Sequence, residues 1–272
     1  MRFVPFVVVP VVWIMAASTP ASAITNGAAD GNAHPEVGAL IDETPNPDGT
    51  WSYCTGTLIS PTVFLTAAHC GDPGQKTAHV TFETEYQRGA TLHTGRYVPD
   101  PRYKESSDLH DMAVVVFGTP VPDITPAQLP EPGLLDRLKA AGDMSATRFT
   151  SVGYGSLSTT KVSSGKKKSQ KQEYRYHYAD TRNQASISFK GMSGKWLDLM
   201  PKAKSDGSTC FGDSGGPNFL GRPDSHLLVA TSISGADDAC KLTNYDYRLD
   251  VPSARHFLGK YVTLPKAPAT TR

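Results

Sequence analysis

The sequence predicts an all-β fold, a barrel or sandwich, and three observations carry that expectation. The chain has 24 glycines and 21 prolines among 272 residues. That is about one residue in six, against nearer one in eight in an average protein. So many breakers leave no room for long helices and exclude a coiled coil or helical bundle. Short apolar or alternating runs recur instead: Thr57–Ile59, Val63–Thr66, His79–Phe82, Met112–Phe117, Phe149–Val152, Ser186–Phe189 and Leu227–Ile233. Turn residues bound them, as at Asn46-Pro47-Asp48-Gly49, Asp72-Pro73-Gly74 and Gly153-Tyr154-Gly155, the spacing expected of an all-β fold. Only Leu134–Ala141 and Ser253–Tyr261 read as helices. Charged residues are 19% and hydrophobic ones 39% without repeats, which argues against disorder. A mass of 29.2 kDa suffices for one large domain or two small ones.

In chain order, the first 23 residues read as a secretory signal peptide. Arg2 is followed by the apolar run Phe3–Ala17 and the A-x-A site Ala21-Ser22-Ala23. A membrane anchor needs ~18–20 apolar residues; this run is 15 long and holds Pro5 and Pro10. Cleavage after Ala23 removes Arg2, leaving 26 basic against 26 acidic residues. A neutral chain offers no electrostatic reason to bind nucleic acid or an anionic membrane. Export favours disulfides for Cys54, Cys70, Cys210 and Cys240 over metal ligation. Four cysteines allow three pairings, and no C-x-x-C occurs. The five prolines of Thr119–Pro132 mark a crossing between two halves. Lys161–Lys171, with five lysines among Ser, Gly and Gln, reads as a solvated surface loop rather than an anion site. Pro265–Arg272 reads as a loose tail.

Three strings carry chemistry. Gly212-Asp213-Ser214-Gly215-Gly216-Pro217, after Cys210, surrounds a serine with glycines that allow a tight turn and converging N–H groups. A serine hydroxyl needs both a base and oxyanion donors to act as a nucleophile. An incidental serine in a Gly-rich turn is the plain alternative, disfavoured by the full six-residue string. Leu65-Thr66-Ala67-Ala68-His69-Cys70 confines a histidine between alanines and a cysteine. The other seven histidines stand in polar loops or beside helices and read as structural or exposed. Asp111 leads into the apolar strand Met112–Phe117; buried there, it requires a partner such as an imidazole N–H. Asp108 competes, but from further back in a polar loop.

Taken in order, these strings resemble the chymotrypsin/trypsin family of secreted serine proteases. Ile24-Thr25-Asn26-Gly27, Gly56-Thr57-Leu58-Ile59 and Gly153-Tyr154-Gly155 extend the resemblance over residues 24–262. The His…Asp…Ser order is that of chymotrypsin. With four cysteines, the chain is more similar to bacterial members than to vertebrate ones. The resemblance implies two antiparallel β-barrels with a short C-terminal helix and an active site between them. The barrels would span 24–132 and 133–262, with a flexible tail at 263–272.

The implied chemistry is peptide hydrolysis, for which the handed-down template of the family assigns each role. Ser214 would attack the carbonyl, His69 would relay the proton, and Asp111 would hold the imidazole. The N–H groups of Gly212 and Ser214 would form the oxyanion hole. Ser232 matches a position supporting the buried aspartate and the substrate backbone. The family pattern pairs Cys54 with Cys70 and Cys210 with Cys240. No cofactor or metal is implied; the partners would be protein or peptide substrates and proteinaceous inhibitors. The N-terminal amine of Ile24, once exposed by signal cleavage, would pair with Asp213.

The specificity pocket departs from the family pattern. Its implied residues are Ser208, Ser232, Ser234 and Tyr245. Ser208 stands where members that cut after Lys or Arg have an aspartate, so uncharged medium or large side chains are expected. Asp206 is the nearby carboxylate that a loop shift could bring in. Two rivals remain: a catalytically silent binding protein of this family, and an α/β-hydrolase esterase built on Gly-x-Ser-x-Gly. The latter needs a helix after Ser214, which Pro217, Gly221 and Pro223 oppose.

Overall fold

All seven apolar runs expected as strands lie in or overlap strands of the structure, and twelve strands close into two barrels. A computed structural model describes residues 24–162 and 172–268. The expected signal peptide, most of the lysine-rich stretch (163–171) and the last four residues lie outside the described residues.

After the two-residue strand β1 (Ala28–Ala29) come β2 (Val37–Ile41), β3 (Ser52–Ser60), β4 (Val63–Thr66), β5 (Thr77–Thr81), β6 (His93–Pro99) and β7 (Ala113–Phe117). They pair antiparallel in the order β2-β3-β4-β7-β6-β5, and β5 returns to β2. Helix α1 (Leu134–Ala140) follows, then β8 (Arg148–Gly153), β9 (Ser158–Val162), β10 (Glu173–His177), β11 (Asn183–Ser193), β12 (Trp196–Met200), β13 (Pro217–Leu220), β14 (Leu228–Gly235) and β15 (Asn244–Arg248). The second barrel runs β11-β12-β15-β14-β13-β8 and closes where β8 pairs β11. Closure leaves no unpaired strand edge in either barrel. β9 and β10 form a separate hairpin, and β1 adds to β11.

Glycine sits inside strands where the barrel wall leaves no volume. A Cβ at Gly56 would fall 2.4 Å from both the Leu65 carbonyl oxygen and the buried Phe64 ring. The proline-rich crossing runs along both halves: Ala127 N donates to Leu58 O, and Gln128 N to His226 O, each at 2.9 Å. Helix α2 (Pro252–Leu258) begins with proline, whose missing N–H costs nothing there. Its Ala254, Phe257 and Leu258 are buried. Leu264 packs on the core and Arg255 donates to the Pro265 carbonyl at 2.5 Å. The tail expected from 263 is therefore anchored as far as 265.

Arg182, fully buried just before β11, ties the barrels together. Its guanidinium donates to Asp30 and to the carbonyls of Gly31, Val37 and Phe82, each at 3.0 Å. Burial alone would raise the Asp30 carboxyl, but His34 and Arg182 together hold it below the ordinary carboxylate value. Removing one partner of a buried pair strands the other charge, at a cost of about 3–5 kcal/mol. Arg182→Met should lower stability by about that amount in denaturant unfolding. A loss below about 1 kcal/mol would show that the seam does not depend on this residue.

Candidate active site

β4 ends at Thr66, and Ala68–Cys70 winds into one 3-10 turn that carries His69 to the seam between the barrels. The Tyr97 hydroxyl reaches the carbonyls of Ala67 and Ala68 at 2.9 and 3.0 Å and braces that turn. The Cys54–Cys70 disulfide fastens it to β3. Asp111 is wholly buried, and its carboxylate is fully occupied. Oδ1 accepts the amides of Ala68 (2.6 Å) and His69 (2.9 Å), while Oδ2 accepts His69 Nδ1–H at 2.7 Å. These bonds compensate a charge that burial would otherwise penalise. They also fix the imidazole tautomer, so that Nε2 of the neutral ring carries the free lone pair.

Ser214 lies across the seam, on the turn before β13. The segment Cys210–Asp213 is a type II turn: Asp213 N donates to Cys210 O at 3.0 Å, and Gly212 has φ +94°. Gly215 (φ +80°) has no room for a side chain, since a Cβ would lie 2.2 Å from Thr66 Oγ1. Thr55 N donates to Ser214 O at 2.9 Å and joins this turn to the first barrel. The amides of Gly212 and Ser214 make no hydrogen bond among the described residues. His69 and Ser214 line one cavity of about 750 Å³. The second disulfide, Cys210–Cys240, borders it.

Asp213 is buried behind the turn. Its carboxylate accepts the amides of Gly155 and Cys210, each at 2.8 Å, yet burial pushes it up to about 7. Gly153 and Gly155 exist for this carboxylate: a Cβ would fall 2.2 Å from Oδ1 at 153 and 2.5 Å from Cγ at 155. In the sequence that string reads as a turn and as part of the family resemblance, without its tie to Asp213. Ile24 is buried at φ +68°, a strained setting for a β-branched residue. Thr25 pairs with Ser208 through both backbone bonds, at 3.1 Å. In the uncut chain Ile24 N is an amide, not an amine.

A family model described as Trypsin matches residues 27–257. The chain belongs to the trypsin family. Among relatives, mouse (Mus musculus) "Serine protease 28" is 24% identical over 209 residues, 69% of this chain and 71% of that one. Among solved structures, neuropsin, a serine protease expressed in the limbic system of mouse brain, superposes with a TM-score of 0.60. That match has 17% identity over 85% of this chain and 95% of the other. Both are mouse proteins, and the nearer likeness to bacterial members finds no support in them.

This trypsin-family chain rearranges the expected pocket. Ser232 and Ser234 line the cavity, presented together by a bulge at Ile233 in β14. Ser208 is not on the wall. It is buried behind Asn244, whose Oδ1 accepts its hydroxyl at 3.0 Å, and Asn244 is the residue that lines the cavity. Alternation along β15 turns the next residue, Tyr245, out to solvent. Asp206 does not swing in. Burial would raise its carboxyl, but Arg148, Ser188 and the amides of Lys202 and Ala203 outweigh that and hold it far below the usual range.

Ser232 does not reach Asp111 as the resemblance implied; its hydroxyl accepts Asn218 Nδ2 at 3.0 Å. Nor are all the other histidines in open loops. His34 is wholly buried, 2.5 Å from Asp30 and stacked on Phe219. It belongs to the seam, not the cavity wall. Sequence reading also missed Phe211, which lines the cavity while half exposed and rests on Tyr176 of the β9–β10 hairpin at 4.5 Å.

The Asp213 carboxyl binds its proton more tightly in the folded than in the unfolded state. Its contribution to stability is therefore complete below the unfolded value near 4 and is lost as pH rises through about 7. A chain extended before Ile24 by a short polar tag should become easier to unfold by denaturant between pH 4.5 and 7.5. Asp213→Asn should show a smaller drop, with the remainder due to Asp246, which burial pushes up to about 8. Equal drops in the two proteins would contradict this account of Asp213.

Proposed function

We propose that the protein is a serine endopeptidase that hydrolyses peptide bonds through a Ser214 acyl-enzyme. The observation that carries this reading is the 2.7 Å bond from His69 to the buried Asp111, with Ser214 lining the same cavity. Nε2 of His69 takes the Ser214 proton as the hydroxyl attacks the carbonyl, then delivers it to the leaving amine. Asp111 keeps Nδ1 protonated and stabilises the imidazolium. The N–H groups of Gly212 and Ser214 receive the oxyanion, a site where one lost donor costs on the order of 10²–10³ in rate. Water then repeats the sequence on the acyl-enzyme.

Two disulfides and the leader-like first 23 residues support export and a protein or peptide substrate outside the cell, with proteinaceous inhibitors as further partners. Nucleic acid and membrane are not expected partners of a neutral mature chain. Signal cleavage after Ala23 relieves the strained Ile24 and frees its amine to pair with Asp213, so the enzyme needs no separate zymogen step. The stretch of cavity wall formed by Ser232, Ser234 and Asn244 is uncharged, while Asp48, Asp237 and Asp238 line the cavity elsewhere; a side chain seated against the uncharged stretch gains most when it is itself uncharged.

Ser214→Ala should remove the acyl-enzyme burst and all but a trace of turnover while leaving the fold intact; near-native turnover would defeat the assignment. In a substrate panel, uncharged residues should lead. A hundredfold preference for Lys or Arg, about 2.7 kcal/mol, would place the side chain against the lining aspartates instead and refute the pocket reading. An α-amine titrates near 8, and its Asp213 partner raises that value. The ion pair is complete below the unfolded value and is lost as pH rises through the folded one. Activity should therefore fall reversibly in the alkaline range, and chains extended before Ile24 should be nearly inactive. Full activity of an extended chain would exclude the activation scheme.

A further inference from the structure

We propose that Thr55 is a positioning residue that holds the oxyanion-binding peptide in its donating orientation, an inference that rests on the protease reading above. The Gly212 N–H belongs to the peptide linking Phe211 and Gly212. The carbonyl at the other end of that peptide, Phe211 O, accepts Ser156 N at 2.8 Å, so the N–H faces the opposite way. The next carbonyl, Gly212 O, accepts the Thr55 hydroxyl at 2.8 Å. With both carbonyls held, the peptides on either side of Gly212 are fixed and the turn stays type II at φ +94°. The competing type I turn has a negative φ at this position and the intervening peptide turned over. It would present the Phe211 carbonyl where the N–H donor should be.

Every group on Thr55 is committed to this clamp. The residue has no exposed surface. Its hydroxyl oxygen accepts Tyr154 N at 3.0 Å, which directs its one proton to Gly212 O. Its amide donates to Ser214 O at 2.9 Å, and its carbonyl accepts Thr66 Oγ1 at 2.8 Å. Ser156 grips the turn from the barrel that carries it, whereas Thr55 grips it from the other barrel. The clamp therefore closes only when the two barrels are docked.

The test compares wild type, Thr55→Val, which keeps the shape and loses the hydroxyl, and Thr55→Ser, which keeps the hydroxyl. Turnover of an ester and a peptide substrate, inhibition by a peptide aldehyde and thermal midpoints would be measured for each. Thr55→Val should lose at least tenfold in kcat with KM within twofold of wild type, and should bind the aldehyde more weakly by a similar factor. Thr55→Ser should recover most of kcat. A Val variant with wild-type kcat, a loss confined to KM, or a Ser variant as impaired as Val would overturn the proposal. If wild type forms no acyl-enzyme, the protease reading fails by itself. Crystal structures then decide the clamp: a negative φ at Gly212 in Thr55→Val supports it, and φ retained near +94° overturns it.

Discussion

The contact between the β3 backbone at Thr55 and the turn at Ser214 is the constraint on which the site depends. His69 and Asp111 belong to one barrel and Ser214 to the other, so no strand pairing within a barrel sets their distance. Only docking does. The 2.9 Å bond from Thr55 N to Ser214 O, the guanidinium of Arg182 and the bonds that Asp180 accepts from Trp51 and Ser52 at 2.7–3.1 Å register one barrel on the other. Each uses a buried polar group that would be costly if the barrels parted. These hydrogen bonds register the seam, and an apolar cluster that includes Val37 and Leu58 on one side and Phe219 and Leu228 on the other runs across it.

Four buried carboxylates show how differently that cost is met. Asp111 has three donors and sits against an imidazole. Asp206 has Arg148 beside it and stays ionised. Asp213 and Asp246 have no cationic partner among the described residues, and burial raises both. A charge left in this condition is poised to accept a cationic partner, because the partner restores what desolvation removed. Asp246 shares this condition, but Asp213 alone of the two stands next to Ser214 in the chain.

The fold was legible where residue type and period agree. Val63–Thr66 and Leu227–Ile233 are apolar enough to declare themselves. Strands such as Val37–Ile41, His93–Pro99 and Pro217–Leu220 escaped notice because Gly38, Gly95 and Pro217 read as breakers. In the barrel the two glycines are required, since a Cβ at 38 or 95 would strike Thr81 O or Val115 at 2.6 Å. The β9–β10 hairpin is harder to read: Tyr174 and Tyr176 alternate with polar residues in β10, but β9 is mostly polar and no residue of either strand is fully buried. At the site, the His, Asp and Ser strings stood out because each has unusual neighbours. The cavity wall did not, because which of Ser208, Asn244 and Tyr245 faces inward depends on strand alternation and on the bulge beside Ser232. Thr55 was invisible for the same reason: its role lies in contacts across the seam, far apart in sequence.

Intact-mass and peptide-mapping analysis after treatment with an organophosphate fluoride shows whether the fold activates Ser214. One equivalent of label is expected on Ser214 in the folded protein and none after prior denaturation. Folded His69→Ala should take up no label. Labelling that spares Ser214, or that proceeds equally in denatured protein, would contradict the assignment of Ser214 as a nucleophile activated by the fold.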